Sequence, residues 1–175
     1  MSGGDDEGQE GGKPTLDPVG EAARQWRRHR IGAQAHMEAV ANINRVSQLA
    51  VGRIETHLRD FDLTWPQYEA LVLLDFSESG SLPLGKMGRR LTVHPTTVTN
   101  TVDQLERKGL VDRATTSADR RRVLAQITDE GRARIRAASA ALVEVKLGLE
   151  GMTVADAKTI AALLGGYRTQ IGDRV

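Results

Sequence analysis

A mainly α-helical fold interrupted by one small β-hairpin is what this chain of 175 residues predicts, on three observations. Apolar residues recur at helical spacing through most of residues 18–170. That period gives way to two-residue alternation only between Leu110 and Thr128. Nine basic residues (Lys86, Arg89, Arg90, Arg107, Lys108, Arg113, Arg120, Arg121, Arg122) crowd the hairpin and the helices before it, against Asp103, Glu106, Asp112 and Asp119, a net of +5. The length suits one domain with an added helical layer and is enough to bury a core. With no cysteine, disulfides, thiol-based redox sensing and cysteine-ligated metal centres are excluded. No run of eighteen apolar residues and no basic-then-apolar start is present, so neither a membrane span nor a signal peptide is expected, and the expected location is the cytoplasm.

The elements follow in order. Residues 1–17 are rich in glycine and acid, and are expected to form a disordered tail. Asp17 before Pro18 is an N-cap with proline at the first helical position. The helical period then holds to about Arg59, divided near Gly32, so that residues 18–59 supply N-terminal helices. Thr64-Trp65-Pro66-Gln67 is a capping box opening the next helix, with Tyr68, Leu71, Val72 and Leu74 as its inward stripe. Ser77 to Pro83 reads as a loop, followed by a short helix from Leu84 to Leu91. His94 precedes a proline and is therefore the N-cap of another helix from Pro95, which turns Val98, Val102 and Leu105 inward and stops at Lys108-Gly109. Strands are expected over Leu110–Thr115 and Arg122–Thr128, with Ser117, Ala118 and Asp119 as the turn, which puts the arginine triplet at the hairpin tip and its returning strand. Thr128 caps a long helix to about Lys146, and Thr153, with Asp156 three residues on, caps the last one.

Helix 84–91, the turn Thr92-Val93-His94 and helix 95–108 have the spacing of a helix-turn-helix, and a basic hairpin directly after it makes a winged one. The text TVTNTVDQLERKGLVDR, the text LTWPQYEALVLL before it, and the run Asp119, Arg121, then Ile127-Thr128-Asp129-Glu130-Gly131 agree in order and spacing with one known family. In these segments the chain resembles the MarR transcription regulators over roughly residues 34–170, with isoleucine where the family's wing signature has leucine. The resemblance implies a winged helix-turn-helix lobe over residues 60–128, with N- and C-terminal dimerisation helices (18–59 and 129–175). It implies a homodimer on a pseudo-palindromic operator in double-stranded DNA, a repressor released by a small phenolic or aromatic acid, and no enzymatic activity. The competing reading is a winged helix used to dock a protein partner without specific DNA binding, which a less basic surface would have favoured.

For the recognition helix the candidates are His94, Thr96, Thr97, Thr99 and Asn100: hydroxyls meet phosphates or thymine methyls, and an amide can bond adenine twice. The bland alternative is that these threonines simply coat a helix start. In the wing, the family pattern points Arg121 at the minor groove with Asp119 as the brace of the hairpin. Arg120 and Arg122 alternate toward phosphate or solvent. Arg107 and Lys108 divide evenly between phosphate neutralisers and plain surface. An effector pocket implied by the resemblance would draw on Met37, Arg45, Trp65 and Tyr68, whose aromatic members serve equally well as core. The segment EAARQWRRHR resembles the extra helix of the family's urate-responsive branch. That branch has arginine at the place of Thr101 and aspartate at that of Glu69, which argues against urate. Gly80 to Lys86 fits seven places of a phosphate loop, but Met87 stands where a hydroxyl is needed. The four histidines lack metal-ligand spacing, so neither a cofactor nor a metal is expected.

Overall fold

The computed structural model describes residues 17–173 apart from 117 and 118, and the side chains of 115–122 also stand outside that description. The chain divides between Gln48 and Leu49 into two compact units. In the first, helix α1 (Pro18–Arg28) starts where Asp17 accepts a hydrogen bond from the Val19 amide at 3.1 Å. It ends in a joint where Arg30 and Ala33 take left-handed backbone angles, and Trp26 donates its indole N–H to the Gly32 carbonyl at 2.9 Å. The division expected near Gly32 is therefore present. Helix α2 (Gln34–Leu58) then begins, with Val40, Ile43 and Val46 exposed on its first turns.

The second unit holds the end of α2, a single 3-10 turn (Arg59–Phe61) closed by Asp62 in the left-handed region, α3 (Trp65–Asp75), β1 (Ser81–Pro83), α4 (Leu84–Leu91) and α5 (Pro95–Arg107). After these come β2 (Val111–Thr116), β3 (Asp119–Ile127), α6 (Asp129–Glu144), a 3-10 turn (Lys146–Gly148) and α7 (Val154–Gln170). The capping box that opens α3 is made as the sequence dictates, with the Gln67 side chain accepting from the Thr64 amide at 3.2 Å. The core collects Leu58 from α2, Leu71 and Leu74 from α3, Met87 from α4, Val102 and Leu105 from α5, and Ile135 and Leu142 from α6. Leu110, Val111, Ala125 and Ile127 bring the base of the hairpin into the same cluster.

Two features depart from the sequence reading. The sheet has three antiparallel strands in the order β1-β3-β2, because Ser81–Pro83, expected to be loop, pairs with Leu124–Gln126 of β3. Three residues ending in proline carry no alternation to announce a strand, and the partner that makes them one lies some forty residues on. In addition, β3 begins at Asp119 rather than Arg122, so the backbone of Arg120 and Arg121 joins that of Arg122 in the returning strand; Thr116 pairs with Asp119 across a bulge after Thr115.

The joint between hairpin and α6 explains the Ile127-Thr128-x-x-Gly131 run physically. The Thr128 hydroxyl donates to the Gly109 carbonyl at 2.8 Å and accepts from the Gly131 amide at 3.0 Å, so one side chain caps α6 and closes the hairpin base. A Cβ on Gly131 would stand 2.2 Å from the Leu110 carbonyl oxygen, so the two backbones approach as closely as they do only with glycine there. At the far end, α7 buries none of its residues, and Ile160, Leu163, Leu164 and Tyr167 all lie exposed.

Candidate nucleic-acid interface

Helix α5 is seated by sequence-local forces first. His94 is its N-cap in extended backbone, and its Nδ1 accepts from the Thr96 amide at 3.3 Å and lies 3.1 Å from the Thr96 hydroxyl. Accepting that amide bond requires an unprotonated Nδ1. The turn before it carries Thr92 at φ 55°, a left-handed angle in a residue with a Cβ, while the Val93 amide reaches back to the Gly88 carbonyl at 3.1 Å. Gly88 leaves room for this crossing, since a Cβ there would sit 3.3 Å from Val98 Cγ2 and 3.4 Å from the Val93 carbonyl. Val98, Val102 and Leu105 turn into the core, as the period predicts.

The opposite face of α5 is polar. His94, Thr96, Thr97, Thr99 and Asn100 are all exposed, and the structure brings these five candidates to one outward surface at the start of the helix. The Thr99 hydroxyl donates to the Pro95 carbonyl at 3.1 Å, which leaves its oxygen free to accept from outside. An open cleft of about 780 Å³ runs beside this face, lined by Leu84, Gly85, Arg89, Pro95 and Thr99 among others. Lys86, Arg89 and Arg90 on α4 are exposed, and among the described residues none of them has a carboxylate partner.

Two cations of the basic window turn inward instead. Arg113 on β2 pairs with Asp103, reaches Glu106 at 3.5 Å and donates to the Thr99 carbonyl at 3.4 Å, tying the hairpin to one flank of α5. Lys108, the C-cap of α5, lies between Asp62 and Gln67. Neither destination was visible from charge counting. Arg107 stays exposed, with its Nε donating to the Asp103 carbonyl one turn back at 3.2 Å. The wing candidates Asp119, Arg120, Arg121 and Arg122 have backbone in β3, but their side chains lie outside the described residues.

Of the effector candidates, Trp65 and Tyr68 stack with ring centroids 5.5 Å apart. Tyr68 is buried, its hydroxyl 3.1 Å from that of Ser139 on α6, so both aromatics are engaged in packing α3 against the lobe. Met37 and Arg45 belong to the first unit. A small recess of about 70 Å³ lies beneath α5, walled by Ala70, Met87, Val98 and Val102, with Thr97, Thr101 and Glu69 at its polar side. Burial pushes the Glu69 carboxyl above the usual range, because its charged form is held away from water. No helix among the described residues is long and apolar enough to cross a membrane.

Comparison with known proteins agrees with this geometry. A family model described as MarR family matches residues 63–123, from the start of α3 into the hairpin. Among solved structures, Sco5413, a MarR family transcriptional regulator from Streptomyces coelicolor, is 42% identical and superposes with a TM-score of 0.74, the match covering 79% of this chain and 96% of that one. The uncharacterized HTH-type transcriptional regulator YhbI of Bacillus subtilis is 35% identical over 96 residues, 55% of this chain and 61% of YhbI. The organic hydroperoxide resistance transcriptional regulator of the same organism is 32% identical over 107 residues, 61% of this chain and 71% of that protein.

Proposed function

The chain belongs to the MarR family of transcription regulators, and from that premise we propose that it is a homodimeric, sequence-specific DNA-binding repressor whose operator affinity a small aromatic acid lowers. One observation carries the DNA half: α5 buries Val98, Val102 and Leu105 while it presents His94, Thr96, Thr97, Thr99 and Asn100 outward, beside the exposed cations of α4. Such a helix can lie in a major groove, with its first turns at base edges. The cations and the arginines of β3 supply the phosphate and minor-groove contacts, in which Arg121 takes the groove and Asp119 braces the hairpin.

The dimer reading rests on α7. Four large apolar side chains stay in water on a helix that buries nothing in its own chain, and a second copy supplies the missing surface symmetrically. Two lobes would then meet half-sites about 34–36 Å apart. The effector must bind the arrangement that cannot hold DNA more tightly than the one that can, since equal affinity shifts nothing. The recess under α5 does not suit an aromatic acid: it is small, and Glu69 is the charged residue in its wall. Trp65, Tyr68, Met37 and Arg45 remain the proposed contacts.

The test is a binding shift with the DNA immediately upstream of the protein's own gene, titrated with salt and then with aromatic acids such as salicylate. A selective complex that weakens with salt and dissolves on addition of the acid is expected. Absence of any sequence-selective complex at low salt would overturn the DNA reading in favour of a docking module.

A further inference from the structure

We infer that Lys108 is a positioning residue for DNA recognition, the centre of a polar clasp that fixes how α5 is seated, and that it makes no phosphate contact itself. The inference rests on α5 being the recognition helix. An ammonium group has three N–H donors and no acceptor. The Lys108 Nζ meets three oxygens inside the protein: the Asp62 carbonyl, Asp62 Oδ1 at 3.1 Å and Gln67 Oε1 at 3.2 Å. Two of its three donors are used in hydrogen bonds, the third faces the Asp62 carboxylate as an ion pair, and only a quarter of the side chain is exposed.

The partners explain what the clasp is for. Gln67 is 3% exposed and is spent entirely within the lobe: Oε1 accepts from the Thr64 amide at 3.2 Å as well as from Lys108, and Nε2 donates to Gln104 Oε1 at 2.8 Å. Gln104 and Lys108 stand one turn apart at the end of α5, so a single buried amide grips that end twice. Asp62 is in the left-handed region immediately after the 3-10 turn that finishes α2. The clasp therefore joins the end of α2, the start of α3 and the end of α5.

Elsewhere α5 meets the lobe through Val98, Val102 and Leu105, whose apolar contact is non-directional, and along one flank through the ties of Arg113 to Asp103, Glu106 and the Thr99 carbonyl. The hydrogen bonds of the clasp, the two from Lys108 charge-assisted, set a register at this end of the helix that apolar packing leaves loose. The clasp grips the end of α5 opposite to His94 and Thr96. At 1.5 Å per residue the helix is about 20 Å long, so a rotation of about 5° at the clasp moves the base-reading end by about 1.7 Å. That is half the length of a hydrogen bond, enough to misalign base contacts while phosphate contacts from flexible lysines and arginines persist.

The experiment uses the full-length protein, a duplex from upstream of its own gene, and an unrelated duplex of equal length. For Lys108→Met and, separately, Gln67→Met, selectivity between the two duplexes should fall at least about tenfold, with far-UV circular dichroism unchanged. The slope of log K against log salt on the unrelated duplex should stay at the wild-type value, whereas a lost phosphate contact would reduce it by about 0.9. A slope reduced by that amount in Lys108→Met overturns the inference, as does wild-type selectivity in that variant. If Gln67→Met does not fold, Lys108→Met decides alone. If wild-type protein itself selects neither duplex, the regulator reading fails instead. The clasp is then judged by hydrogen exchange in the free protein, where amides of the last turn of α5 should exchange at least about tenfold faster in Lys108→Met; unchanged exchange refutes it.

Discussion

Helices α5 and α7 each leave one surface without a partner among the described residues, and the two surfaces have opposite chemistry. The outward face of α5 is an imidazole, three hydroxyls and an amide, opposite the buried Val98, Val102 and Leu105. The outward face of α7 is Ile160, Leu163, Leu164 and Tyr167, with no buried side opposite. A polar face on a well-anchored helix costs nothing while it waits in water, because water satisfies it. An apolar face on a helix without an anchor is stable only when something covers it. The contrast separates a surface that is occupied on occasion from one whose covering belongs to the folded state.

The largest expected effect attacks the second surface. Leu163→Glu places a charge where a side chain 70% exposed in the single chain would be buried in a dimer. An isologous interface feels each substitution twice. At about 1.5–3 kcal/mol for each leucine, dimerisation should weaken by about 3–6 kcal/mol, and sedimentation at micromolar concentration should show monomers. A variant that sediments with wild type as a dimer would remove α7 from the interface.

The next effect tests the first surface. Asn100→Ala should lose the discrimination of one bidentate base contact in each half-site, about 1–3 kcal/mol apiece, read as a loss of operator preference of about five- to 150-fold per half-site with an unchanged salt slope. Unchanged operator preference would mean that Asn100 faces solvent in the complex.

The smallest effect concerns the underside of α5. Glu69 binds its proton more readily in the folded protein than in the unfolded chain, so stability declines as pH rises from the ordinary glutamate range through the raised native value. Glu69→Gln should therefore melt slightly higher than wild type at pH 7, and the difference should vanish below about pH 4, where both forms are neutral. A difference that persists at pH 4 would assign the gain to packing instead.

What was legible in the sequence was what is decided within a few residues. Thr64 with Gln67, His94 before Pro95, and Thr128 three residues before Gly131 each name a helix start through a side chain bonding a nearby amide. The outward face of α5 followed from the same local period. What escaped is settled between distant segments. Ser81–Pro83 becomes a strand only against Leu124–Gln126, and Lys108 turns inward only because Asp62, 46 residues earlier, presents two oxygens to it. Gln67 was visible as a cap, yet its amide nitrogen belongs to Gln104, 37 residues away. Charge counting treated Arg113 as part of one basic surface. Its engagement by Asp103 and Glu106 shows that a cation's neighbours in space decide whether it faces a polyanion.

The close backbone approach at Gly131 bears on how such a protein can diversify. Where a glycine Cα lies against the Leu110 carbonyl, and one threonine hydroxyl spans Gly109 and Gly131, Thr128 is the one side chain in these contacts and the rest are backbone atoms. Lineages that alter their target can exchange the residues that face outward on α5 or lengthen the hairpin beyond Thr116 and Asp119. The backbone contacts at the root hold the bearing of the hairpin, while its reach is left free.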